Sequence, residues 1–180
     1  AGLRHDDAFR TNLTVANLKD EASEVEVVFR DGAGNVLGSP AKITVEGRGV
    51  KQLNGALSAA VASATDPIGG AGYGSPASQF SAEVRIKSGS GVYPYATVID
   101  QGTGDSIVVT PAATPSPTYR LPGIVRVLGG SGAYWVSDVA LLNPTASPRK
   151  INVTFSYEKL GTPGRWERTL PFSLAPYGMA

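Results

Sequence analysis

The chain has 180 residues, no cysteine, and sixteen Lys and Arg against fifteen Asp and Glu, for a net charge of +1. Scattered charges leave no electrostatic footprint for nucleic acid, the lack of thiols excludes disulfides and thiolate metal sites, and no apolar run approaches the roughly 18 residues that span a bilayer. Twenty-two Gly and thirteen Pro, with abundant Val, Thr and Ser, favour short strands joined by punctuated turns, hence an all-β fold.

In chain order, the polar start around His5, the only histidine, reads as a frayed, solvated terminus and not as a catalytic base. Phe9 to Asn17 is the first strand, with Leu13 and Val15 alternating with Asn12 and Thr14 before the polar turn Lys19-Asp20-Glu21. Val25, Val27 and Phe29 then share one face of a strand whose other face carries Glu24, Glu26 and Arg30. Asp31 to Asn35 supplies residues that tolerate positive φ and turns the chain into a hairpin with the strand from Val36.

From Asn54 to Phe80 the pattern dissolves into Ala, Ser and Gly, with a short helix expected over 57–64 and a flexible glycine-rich loop over 69–74. Ala82, Val84 and Ile86 restore alternation, and the turn Ser88 to Gly91 predicts a second hairpin with Val92 to Asp100. Pro94 cannot donate to a ladder, which puts that strand at an edge or gives it a bulge. Ile107 to Thr110 is a last short strand, and 112–118 is a stiff, Pro-rich linker.

Residues after the linker repeat those at the start. With Phe9 laid on Trp135, an offset of 126, Thr11 falls on Ser137, Leu13 on Val139, Val15 on Leu141, Asn17 on Asn143, Val25 on Ile151, Val27 on Val153 and Phe29 on Phe155. A longer loop, Lys159 to Arg165, moves the offset to 129, after which Ile43, Thr44 and Val45 fall on Phe172, Ser173 and Leu174. A strand at Leu121 to Val127 opens the second copy and has no counterpart before Ala1. The expected organisation is therefore an immunoglobulin-like antiparallel β-sandwich over 1–111, the linker 112–118, and a second, incomplete copy over 119–180. A single fused sandwich, in which the later strands finish the first module's sheets, is the alternative. A chain starting at Ala1 and not Met fits a processed secreted protein or a piece of a longer one.

Phe9 to Asn17, Val25 to Phe29, Asp31-Gly32 through Gly38, Tyr95 to Asp100 with Thr103-Gly104-Asp105, Leu121-Pro122-Gly123, and Tyr134-Trp135 through Asn143-Pro144 together carry a resemblance. The chain resembles the tandem β-sandwich repeat modules of secreted and surface proteins of environmental bacteria. The resemblance implies a sandwich fold and a secreted or cell-surface location, and it carries over no catalytic residue.

No pairing of residues in the sequence calls for catalysis. Ser90 and Ser131 lack the spacing of a nucleophile elbow, Asp20 with Glu21 and Asp100 with Asp105 fall in turns, and Gly70-x-Gly72-x-Gly74 lacks a phosphate-binding context. The chain is expected to be non-catalytic, without metal or cofactor. Two functions remain. One is a structural protein that associates with itself, or with neighbouring modules of the same kind, through incomplete sandwich edges, because about 60 residues without disulfides bury too little surface to stand alone. The other is a module that binds glycan or peptide through exposed aromatics, with Trp166, Tyr93 and Tyr95 as the candidate residues and Trp135 assigned to a core.

Overall fold

The computed structural model describes residues 2–57, 79–111, 116–132, 134–159 and 161–180. Among them the chain is almost wholly antiparallel β: β1 (Leu3–Arg4), β2 (Phe9–Asn17), β3 (Ser23–Arg30), β4 (Val36–Val45), β5 (Val50–Leu53), β6 (Gln79–Ser88), β7 (Val92–Asp100), β8 (Ser106–Val109), β9 (Arg126–Leu128), β10 (Tyr134–Val136), β11 (Arg149–Lys159) and β12 (Thr162–Leu174). The helix expected over 57–64 and the loop expected over 69–74 fall, apart from Leu57, outside the described residues, as does 112–115 of the linker.

Two four-stranded sheets, ordered β1-β6-β3-β4 and β5-β2-β7-β8, form the first part of the chain. Alternation explains how they stack. Leu13 of β2 and Ala96 and Val98 of β7 point from one sheet into a buried cluster with Leu3, Val27, Phe29 and Phe80 from the other. Val15, Val25 and Val45 continue it in a second cluster. Phe29 and Phe80 meet edge to face at 5.8 Å, the favoured aromatic geometry. Contributions from both inner faces make this a sandwich.

Two local expectations are corrected. β6 and β7 are not a hairpin: β6 lies between β1 and β3, whereas β7 lies between β2 and β8, so the chain crosses between sheets at Gly89 to Gly91. A short turn signal does not distinguish a hairpin from a crossover, because both edges of each strand find better-matched apolar partners elsewhere. The amino terminus is not frayed either: β1 pairs with β6, and Leu3 is buried. Pro94 sits in a central strand, but β8 reaches only Ala96 to Ile99, so at Pro94 β7 has a neighbour on one side only.

The same local architecture occurs twice. The β3 and β4 pairs Ser23↔Val45, Val25↔Ile43 and Val27↔Ala41 recur as Arg149↔Leu174, Ile151↔Phe172 and Val153↔Leu170 in β11 and β12. The buried Asn17 amide donates to the Glu21 carbonyl (2.7 Å) and the Val45 carbonyl (3.2 Å), and its oxygen accepts from the Lys19 amide (3.0 Å). Asn143 donates to the Ser147 (2.8 Å) and Ala175 (2.7 Å) carbonyls and accepts from the Thr145 amide (3.1 Å). Backbone bonds Asn17 to Gly49 and Arg48 to Lys19 reappear as Asn143 to Gly178 and Tyr177 to Thr145. Arg48 (φ 56°) and Tyr177 (φ 57°), at matching places, are the two non-glycine residues with positive φ among the described residues. Each pays a backbone cost of about 1–2 kcal/mol, held in place by the surrounding turn bonds.

Removing the Asn17 side-chain amide leaves the buried Val45 carbonyl and two partly buried backbone groups without this partner. Asn17→Ala is expected to lower unfolding free energy by about 2–3 kcal/mol, measured by urea denaturation, whereas Asn143→Ala should instead speed amide exchange at Tyr177 with a smaller global loss.

Candidate interaction surfaces

The two tyrosines expected to bind lie on one face of β7. Tyr93 is opposite Ala16 and Tyr95 opposite Thr14 of β2, and β5 extends that outer face with Val50 and Gln52. Tyr93 is 45% exposed and Tyr95 is half-buried. Trp166 belongs to a different sheet, directly opposite Tyr157, and these two are 42% and 40% exposed. The structure therefore joins Tyr93 with Tyr95 and sets Trp166 in a separate, two-residue aromatic patch. The Trp135 side chain lies outside the described residues.

Trp166 lies in β12, just past the stretch expected as a loop over 159–165. β11 runs to Lys159 and β12 starts at Thr162, with Glu158 opposite Arg165 and Lys159 opposite Thr162 across a register shift, so strand pairing enters that stretch from both sides. Gly161, at φ 77°, supports the tight reversal, and backbone pairing across it satisfies groups that a loop would leave to water.

This long hairpin presents an uncovered apolar face. Val25, Val27 and Phe29 of β3 are 1%, 0% and 1% exposed beneath the second sheet. Their counterparts Ile151, Val153 and Phe155 are only half-buried, and Tyr157 and Trp166 continue the face into solvent. Among the described residues β11 pairs only with β12. Leu121, Ile124, Val125, Val127 and Leu128 are also exposed, along a segment of which only Arg126–Leu128 is strand, paired with β10.

A turn-to-turn joint, which sequence reasoning did not anticipate, ties the carboxyl end to the first sandwich. The Met179 amide donates to the Gly32 carbonyl (2.8 Å) in the β3–β4 turn, and the Gly2 amide approaches the Met179 sulfur at 3.3 Å. The Arg30 guanidinium lies 4.4 Å over the Tyr177 ring, a cation–π contact, while also donating to the Gly34 carbonyl (3.1 Å) and facing Glu83 at 3.7 Å. Gly34 has φ 91°, and a Cβ there would collide with the Pro176 carbonyl.

Between the open β1 and β8 sides lies a groove of about 400 Å³, lined by Arg4, Phe9, Val98, Ile107, Asp138 and Val139 among others. Asp100 at its rim is occupied locally, its Oδ1 accepting from the Gly102 and Thr103 amides. Among the described residues no cluster of His, Asp and Glu has the arrangement of a metal site, and no helix is long and apolar enough to cross a membrane. Burial holds the His5 imidazole below its ordinary range, partly opposed by the Asp6 carboxylate. The Arg85 hydrogen bond does most to hold the Glu83 carboxyl below its own range.

Fold and surfaces together define an antiparallel β-sandwich protein with an added, half-covered hairpin. Comparison with protein-family models, with curated proteins and with solved structures finds no match to this chain.

Two outcomes are expected. Gly34→Ala should release the carboxyl-terminal turn, seen as faster amide exchange at Met179, while Gly104→Ala, which has positive φ but open space around it, leaves that exchange unchanged. For His5, acidification below about 6.5 protonates the unfolded chain while the folded site resists. Stability therefore falls as pH drops from that value towards the lower folded pKa, and His5→Gln should flatten this part of a stability–pH curve.

Proposed function

We propose that the chain is a non-catalytic structural protein of the bacterial cell exterior, secreted or held at the surface. It associates through its incomplete second copy, with other copies or neighbouring modules of the same kind as partners. The observation that carries this reading is the β11–β12 hairpin, which repeats the register of β3–β4 but leaves Ile151, Val153 and Phe155 half-buried where Val25, Val27 and Phe29 are core residues. Burying a Val, Ile or Phe side chain fully is worth about 1.5–3 kcal/mol, so covering several of them rewards association. In repeat proteins neighbouring units supply such cover, and successive heterologous contacts yield filaments.

Within this reading the first 111 residues are an immunoglobulin-like sandwich, supported by two four-stranded antiparallel sheets between which consecutive strands cross, and the later residues are a partial copy. The turn-to-turn joint of Tyr177 on Arg30 supports an ordered spacing between copies. A second reading, glycan or peptide binding, is favoured by the exposed cross-strand pair Tyr157 and Trp166, with Tyr93 and Tyr95 as a separate platform.

The test is the mass of the intact chain by light scattering across a concentration series, with electron microscopy of the concentrated sample. Mass should rise with concentration, and Val153→Lys should suppress the rise. A monomer at all concentrations overturns the proposal. Polysaccharide retention abolished by Trp166→Ala would support the second reading.

A further inference from the structure

The hairpin β11–β12 has two edges, and they are built differently. β12 carries Pro163, Pro171, Arg165, Glu167 and Arg168. Prolines and charges are the usual means of keeping a strand edge from pairing. Its counterpart β4 is likewise an edge strand and carries Pro40. From Ile151 to Tyr157, by contrast, β11 reads Ile-Asn-Val-Thr-Phe-Ser-Tyr, alternating, uncharged and free of proline. Such a strand is prepared to be paired.

The first copy shows what belongs there. On the equivalent edge of β3 lies β6, with Ile86 opposite Val25, Val84 opposite Val27 and Ala82 opposite Phe29. Phe80 of β6 then closes over the Phe29 ring. β6 also has β1 on its far side. The Thr11 hydroxyl accepts from the Arg4 amide of β1 (3.1 Å), and the Ser137 hydroxyl, at the matching position, accepts from the Val125 amide (3.1 Å). The Val125 segment runs into β9, which pairs with β10, and among the described residues no strand pairs with the β11 edge that corresponds to the β6 side of β3.

Building on the association reading above, we propose that the β11 edge is an acceptor for a β6-type strand. Its occupant is an extended segment with apolar side chains at alternate positions, supplied by another module of this repeat type and laid antiparallel to β11. In the register of β3 with β6, Ile86, Val84 and Ala82 of that strand stand opposite Ile151, Val153 and Phe155, and its Phe80 reaches the Phe155 ring. The main chain supplies the hydrogen bonds and the alternate apolar positions supply the selectivity, as in strand addition generally. The outward face of β11 offers Asn152, where β3 has Glu26 paired with Arg85, so the acceptor reads apolar pattern and not charge.

The probe is a synthetic peptide of residues 79–100, with a scrambled peptide as control, added to the intact chain. Binding is read by fluorescence anisotropy, and the place of binding by amide exchange across β11. The expected result is saturable binding that protects residues 150–156. Val153→Lys in the chain, or Val84→Lys in the peptide, should weaken it at least about tenfold, while Thr154→Lys on the opposite face of β11 should not. Failure to protect 150–156, or protection indifferent to Val153→Lys, overturns the proposal. The two readings fail separately: association that the peptide does not compete removes the β6-type acceptor and leaves self-association standing, whereas a strictly monomeric chain that takes the peptide as described does the reverse.

Discussion

A buried asparagine amide at the corner between sheets is the constraint on which the rest of the architecture depends. Asn17 holds the β2–β3 turn against the end of β4 by serving three backbone groups; the bond to the Val45 carbonyl is buried and the other two are partly buried. This fixes where β3 begins, and with it the register that sends Val25, Val27 and Phe29 inward. It also steadies the adjoining turn, where Arg48 is kept at positive φ. Asn143 performs the same task in the second copy, with Tyr177 at the αL position.

The corner is complete at both places, but Val25, Val27 and Phe29 are buried while Ile151, Val153 and Phe155 are only half-buried, so the two hairpins with matching register end in different states. β3 is a core strand; β11 is a half-buried one with an open edge. The difference is not in local propensity, since both strands alternate in the same way. It lies in the neighbours: among the described residues β3 has β6 on its second edge and packs against the sheet of β2 and β7, whereas β11 pairs with β12 alone. The carboxyl-terminal turn gains partial compensation by docking on the β3–β4 turn through Arg30, Gly32 and Gly34. That contact couples the two copies without covering the apolar face of β11.

The candidate surfaces were unevenly legible. Tyr93 and Tyr95 share a face because strand residues two apart must, and the sequence pattern was enough to see it. The cross-strand setting of Trp166 was not legible, because Gly161, Pro163 and Gly164 look like a loop until the backbone pairs of Glu158 with Arg165 and Tyr157 with Trp166 are known. The joint was invisible: Arg30 and Tyr177 are far apart in sequence, and nothing local to either residue predicts stacking.

Sequence alone determined the all-β class, the bounds of β2, β3 and β7 to within a residue or two and the β3–β4 hairpin, because period-two alternation and turn chemistry act over neighbouring residues. Tertiary structure decided the rest. That β6 and β7 part company into different sheets, that Leu3 anchors the amino terminus, and that β11 keeps an unpaired edge all depend on which distant strand offers the better apolar match. Such matches join residues far apart in the chain, and their energy comes from excluding water between surfaces that no local pattern brings into view.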